Sequence, residues 1–328
     1  MDRTDLFATS EPGISIFVRE IKPASASADL PPLLLVHGGG PGGLASFDLP
    51  VPGYSLAHDL AMAGHAVYVS DVRGWSGSTR PPALDAPAAD NPPAVRCAEA
   101  ARDIGAVVDT IRERRNVERV AILGWASGGH WAAAYAAGHN DRISHLVLLN
   151  TIYGIEAAWP IAAWFEASDR PGEFDRAIGA YGLRTAESLL ASWDRTIPVE
   201  DKTEWRDPRV ADAYAREALA SDPTSQTRNP PSMRVPTGFQ RESYELTRGR
   251  KEWDAADIRA ATLIVRGERD FWSRPVDITA LEQDLVNAQR VRSVTIPDGT
   301  HYLFNDRHER GRSQLLHEVI AFLSVPSY

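Results

Sequence analysis

The sequence predicts an α/β fold: a largely parallel sheet with helices on both faces, interrupted by one inserted helical segment. Three observations carry this expectation. Short aliphatic or β-branched runs recur along the chain, helix-like stretches separate several of them, and the alternation stops after Asn150 and resumes near Ala261. Runs of that kind read as strands buried on both faces. Strand and helix in alternation give a parallel sheet covered by helices.

Taken in order, strands are expected at 14–18, 33–36, 66–69, 120–123, 145–149, 261–265 and 291–296. A helix is expected over 93–115, where Val95, Ala98, Ile104, Val107, Val108 and Ile111 share one side, with acids early and arginines late as the helix dipole favours. Between the two halves, 153–254 shows amphipathic helical patterning broken by proline-rich connectors and no convincing strand, which predicts a helical cap. The core is then 1–152 together with 255–328. Aromatic side chains crowd the cap, among them Tyr153, Trp159, Trp164, Trp193 and Trp205. A small helical layer needs bulky residues for its own packing, but some of them are expected to face the crevice below.

Composition narrows the function. The chain has 328 residues, 43% hydrophobic and 24% charged, which is ordinary for a globular protein. Its 35 basic against 44 acidic residues give a net charge of −9, so nucleic acid is not an expected partner. Cys97 is the single cysteine, which excludes an intrachain disulfide and a thiolate-rich zinc site. No stretch is apolar enough for a membrane span, and the first residues, MDRTDLFATSEPG, lack a secretory core segment. A cytoplasmic location is expected, with no membrane partner; self-association into a homo-oligomer is left open.

The most informative passage is VAILGWASGGHWAAAYAAG, 120–138: strand, tight glycine turn, alanine-rich helix. That is the setting of a nucleophile elbow, in which a serine lies midway between two glycines. Gly124 and Gly128 are those glycines, and the residue midway is Ala126, which has no nucleophilic atom. Three readings follow: a variant in which alanine has replaced the serine, a pseudoenzyme that binds without turnover, or a nucleophile displaced to Ser127. The last would put Trp125 at the upstream glycine position. The first is preferred because the remaining parts are present.

Strand 261–265 runs into RGERDFWSRP and places Asp270 just past its end; strand 291–296 runs into PDGTHYLFND, with His301 in the loop. Residues beyond the carboxyl ends of parallel strands converge. The order 126, Asp270, His301 is the nucleophile, acid, histidine order of this architecture. A serine hydroxyl needs an imidazole to take its proton, and a carboxylate to orient that imidazole. Glu268 and Glu156 are rival acids, Asp298 reads as a turn former, and His130 as a packing residue. In LLLVHGGGPGG, 33–43, Gly39 or Gly40 is expected to offer a backbone N–H to an oxyanion, together with that of Ser127. Trp125, Tyr153, Trp159, Trp193 and Tyr302 are candidate substrate contacts. No metal or cofactor motif is found.

With HGGGPG, DVRGWSGS, GWASGG, GERD and GTH at successive strand ends, the chain resembles an α/β-hydrolase over everything outside the cap. That resemblance implies a triad at Ala126 (serine in an active form), Asp270 and His301, no cofactor, and a small-molecule ester or lactone as substrate. HGGGPGG is similar to the proline iminopeptidases, but their GGSWGG-like elbow differs from GWASGG. The combination also resembles actinobacterial ester and lactone hydrolases, including those that open the macrolactone zearalenone. Two expectations are therefore carried forward: an ester or lactone of apolar, aromatic character, and an amino-terminal peptide substrate whose ammonium would need Glu156, Glu166, Glu200 or Asp201.

Overall fold

The computed structural model describes all residues except 24–26, 28 and 328. In chain order the first half contains β1 (Asp2–Glu11), β2 (Ile14–Lys22), β3 (Leu33–Val36), α1 (Gly43–Phe47), α2 (Leu56–Met62), β4 (Val67–Ser70), α3 (Cys97–Arg115), β5 (Val120–Trp125), α4 (Ser127–Gly138) and β6 (Ile143–Leu149). Next come β7 (Glu166–Ala167), β8 (Arg170–Phe174), β9 (Tyr181–Thr185), α5 (Ala186–Asp194), α6 (Pro208–Ala220), β10 (Ser232–Pro236) and α7 (Gly238–Leu246). The chain closes with β11 (Ala261–Gly267), α8 (Pro275–Asp284), β12 (Val291–Ile296) and α9 (Arg312–Leu323).

Eight strands form one sheet in the order β1-β2-β4-β3-β5-β6-β11-β12. The six from β4 to β12 run parallel, and β2 pairs antiparallel with both β1 and β4. Every residue of β3, β5, β6 and β11 is buried, as strands covered on both faces require. Helices flank the sheet, α3 packing on α4 and α2 on α9. Along α3, Ala100, Ile104, Val107, Val108 and Ile111 face inward, and buried Asp103 accepts from Arg73 at 2.6 Å, which ties the loop after β4 to that helix.

Two expectations need correction. β1 was not foreseen, because it is an exposed edge strand of mixed polarity with no apolar run. The inserted segment is not purely helical: β9 pairs with β10 and β7 with β8. Those strands are short, carry Pro and Gly, and lack alternation, so no period-2 signal marks them. The helices there follow ordinary rules. Asp207 caps α6 by accepting from Arg209 N–H, with Pro208 in the first turn, and Thr185 caps α5 by accepting from Ser188 N–H. Among the described residues no helix is long and apolar enough to cross a membrane.

Candidate active site

The corner between β5 and α4 falls at Ala126, whose backbone is held at φ 52°, ψ −117°. An L-residue reaches that conformation only at a cost, and such outliers cluster where function needs them. The corner is over-determined. Ala126 N–H donates to the Leu149 carbonyl at 2.8 Å, and its own carbonyl accepts from Gly129 N–H at 3.1 Å. A Cβ on Gly124 would overlap the Gly128 carbonyl, and one on Gly128 would overlap the backbone of Val36 and His37. The two glycines therefore frame position 126, not 127. Gly124→Ala is expected to lower stability by about 3 kcal/mol, because the obstruction is backbone and cannot rotate away; an unchanged urea midpoint would contradict this packing.

Asp270 and His301 meet below that corner. His301 Nδ1 lies 2.6 Å from Asp270 Oδ1, and since a carboxylate only accepts, Nδ1 carries the proton and Nε2 the lone pair. His301 lines the cavity described below. Asp270 also accepts from the backbone N–H of Trp272 (3.0 Å) and Ser273 (2.8 Å) and from the Ser273 hydroxyl. Burial pushes its carboxyl pKa up, but His301 and these hydrogen bonds more than offset that and hold it below the ordinary value. Neither rival acid takes this place. Glu268 accepts from Asp298 N–H at 3.0 Å, and Glu156 is exposed. Asp298 is a turn residue at φ 60°, and His130 accepts from Trp253 Nε1 at 2.8 Å, away from His301.

Asn150 is a positioning residue that sequence reasoning missed. At the end of β6 with φ 51°, it donates to the His301 carbonyl (3.0 Å) and accepts from Gly267 N–H (2.8 Å), joining the loops after β11 and β12. Asp306 was also missed. Its carboxylate accepts from Thr300 N–H (2.8 Å), Thr300 Oγ1 (2.9 Å) and Trp193 Nε1 (2.8 Å), which fastens the His301 loop to α5. Burial raises its pKa to about 6 despite these donors. The folded state then binds more protons than the unfolded between about pH 4 and 6, so Asp306 contributes stability that is lost as pH rises through that window. Subtracting the unfolding free energy of Asp306→Asn from that of the unaltered protein should leave a difference that declines from pH 4 to pH 6.5; a flat difference contradicts it.

The glycine turn after β3 is pinned from outside. His37 Nε2 accepts from Val72 N–H at 3.1 Å, and Nδ1 then donates to the Gly38 carbonyl at 2.6 Å. Trp75 Nε1 donates to the Gly40 carbonyl at 2.9 Å, and Asp71 accepts from Gly43 N–H at 2.6 Å. Gly39 and Gly40 border the cavity, and a Cβ on Gly39 would overlap the Phe239 ring. Ser127 opens α4, where a backbone N–H has no intrahelical acceptor. Its hydroxyl is buried without a hydrogen-bond partner, so it makes no bond to His301.

Gly39, Gly40, Ala126, Ser127 and His301 share a cavity of about 550 Å³ between the sheet and the inserted segment. Aromatic side chains dominate its wall: Trp125, Trp164, Phe165, Phe239, Phe271, Trp272 and Tyr302. Of the candidate substrate contacts, Trp125 and Tyr302 line it. Tyr153, Trp159 and Trp193 are not part of the wall; Tyr153 OH donates to Asp284, Trp159 Nε1 to the Trp272 carbonyl and Trp193 Nε1 to Asp306. Glu156, Glu166, Glu200 and Asp201 do not line it either. The two cations that do, Arg184 and Arg195, were missed.

The family model described as the alpha/beta hydrolase fold matches residues 31–307. A curated relative from Cupriavidus pinatubonensis, a 2-hydroxy-6-oxononadienedioate/2-hydroxy-6-oxononatrienedioate hydrolase, is 30% identical over 148 residues, 44% of each chain. The match thus spans less than half of that relative's length. Among solved structures, the enol-lactonase from Burkholderia xenovorans LB400 is similar with a TM-score of 0.61 at 18% identity, covering 97% of this chain and 100% of that one. The meta-cleavage product hydrolase from Pseudomonas fluorescens IP01, solved as a serine-to-alanine mutant, has a TM-score of 0.57 at 17% identity, covering 97% and 96%. At these identities the structural likeness establishes the fold.

Proposed function

The chain belongs to the alpha/beta hydrolase fold family, and from that premise we propose that it is a serine hydrolase of carboxylic esters, with an apolar aromatic lactone as substrate, disarmed at position 126. The observation that carries the reading is the strained corner at Ala126, framed by Gly124 and Gly128 and sharing a cavity with His301, whose Nδ1 meets Asp270. With a serine there, His301 Nε2 takes the hydroxyl proton as the oxygen attacks the acyl carbon, and returns it to the leaving alcohol. Asp270 holds the tautomer and stabilises the imidazolium. The N–H groups of Ser127 and of Gly39 or Gly40 receive the oxyanion. Water then repeats the sequence on the acyl-enzyme, releasing the carboxylic acid. As it stands, the chain binds substrate and does not turn it over.

An ester or lactone is favoured over an amino-terminal peptide by the wall of the cavity. Among the described residues its lining has seven aromatic residues and two guanidiniums and no carboxylate, so an ammonium would meet repulsion with no counter-charge. The volume suits a ligand of macrolactone size, zearalenone-like in character. The inserted segment 153–254 acts as the cap that selects it. The test is Ala126→Ser assayed against neutral aryl esters, aromatic lactones and aminoacyl amides. Turnover of esters and lactones is expected; turnover of the amides alone would replace this reading with the peptidase one.

A further inference from the structure

Four residues of the inserted segment line the cavity: Arg184 near the end of β9, Ser188 and Ser192 one turn apart on α5, and Arg195 at the C-terminal end of that helix. Ser192 accepts from Tyr302 OH at 3.0 Å, which fixes α5 beside His301. Three other arginines of the segment are paired with carboxylates: Arg206 with Asp194 at 2.6 Å, Arg209 with Asp207 at 2.8 Å, Arg248 with Glu166 at 2.7 Å. Among the described residues, Arg184 and Arg195 have no carboxylate within 4.0 Å. Arg184 donates only to the neighbouring Leu183 carbonyl, at 3.0 Å. Arg195 lies over the rings of Trp164 (4.1 Å) and Phe271 (5.2 Å), contacts that orient a guanidinium while leaving its N–H groups free.

Arg184 is half-buried and Arg195 exposed, so both charges keep water in the free protein while their N–H groups stay available to an anion that enters the cavity. Burial draws both guanidiniums below their ordinary value, as expected of cations without a counter-charge, yet an arginine remains charged at neutral pH. We propose that Arg184 and Arg195 form an anion-recognition wall: the substrate carries an acidic oxygen, a carboxylate or an ionised phenol on its aromatic part, besides the ester bond to be cut. This rests on reading the cavity as the substrate site and adds the charge of the substrate to it. Ser188 and Ser192 complete the wall as neutral hydrogen-bonding groups between the cations.

The test uses the unaltered Ala126 chain, so that binding is measured without turnover. Titrations with 2-naphthoate and its neutral isostere 2-naphthamide, followed by tryptophan fluorescence and calorimetry, should show the carboxylate binding about tenfold tighter, the effect of charge-assisted hydrogen bonds in a partly desolvated site. In Arg184→Gln/Arg195→Gln the preference should fall to within about twofold while naphthamide binding stays unchanged, which also reports that the cavity is intact. Equal affinities in the unaltered chain, no saturable naphthoate binding, or a preference that survives in the double variant each overturn the inference. Hydrolysis of neutral aryl esters by Ala126→Ser is read separately. Its absence would remove the hydrolase reading and leave the charge preference standing; its presence with no preference would remove only the wall.

Discussion

Ala126→Ser is expected to hydrolyse a neutral aryl ester or aromatic lactone about a millionfold faster than the unaltered chain, the factor by which loss of a nucleophile disables such a site. The gain is large because nothing else has to be rebuilt. The corner already holds φ 52°, ψ −117°, the His301 imidazole is already oriented at 2.6 Å from Asp270, and the glycine turn is pinned by His37, Asp71 and Trp75. A serine adds one oxygen to a Cβ whose position the backbone dictates. Binding should change little, since the cavity wall is otherwise the same; a Kd for an aromatic lactone within about threefold between the two forms would show that the gain is chemical and not a matter of affinity.

Asp270→Asn in the Ala126→Ser background should remove about 10⁴ of that rate while leaving KM nearly unchanged. An asparagine accepts at only one atom and offers N–H at the other, so the proton on His301 Nδ1 loses its fixed acceptor and the opposite tautomer becomes available, with no lone pair on Nε2. The same change disturbs a carboxylate that accepts from Trp272 N–H, Ser273 N–H and the Ser273 hydroxyl. Glu268→Gln and Glu156→Gln serve as controls and should leave the rate within about twofold, since neither carboxylate meets His301. A large loss in either control, with Asp270→Asn mild, would move the acid to that residue.

Much of this is legible in the amino-acid sequence. Strands 33–36 and 291–296 have the bounds their apolar runs predict: the first is buried on both faces, and the second is a half-exposed edge strand that still pairs along its whole length with β11. Gly124 and Gly128 marked the corner because each leaves room for backbone alone. Order along the chain then placed Asp270 and His301 together. What could not be read was set by tertiary context. Aromatic identity does not separate wall from scaffold: Trp159 and Trp193 found carbonyl and carboxylate partners, while Trp164 and Phe271 flank Arg195. Edge strand β1 and the β9–β10 ladder lack an apolar period. Arg184, Ser188, Ser192 and Arg195 stood in the sequence, yet they carried meaning only once β9 and α5 were seen to bring them to one cavity.

The central claim is that position 126 is the nucleophile position of a site otherwise complete. Intact-mass measurement after treatment with a fluorophosphonate tests it most directly, comparing the unaltered chain with Ala126→Ser. The account predicts one adduct on the serine form, mapped to residue 126, and none on the unaltered chain. An adduct on the unaltered chain at Ser127, or no adduct on either form, would contradict it.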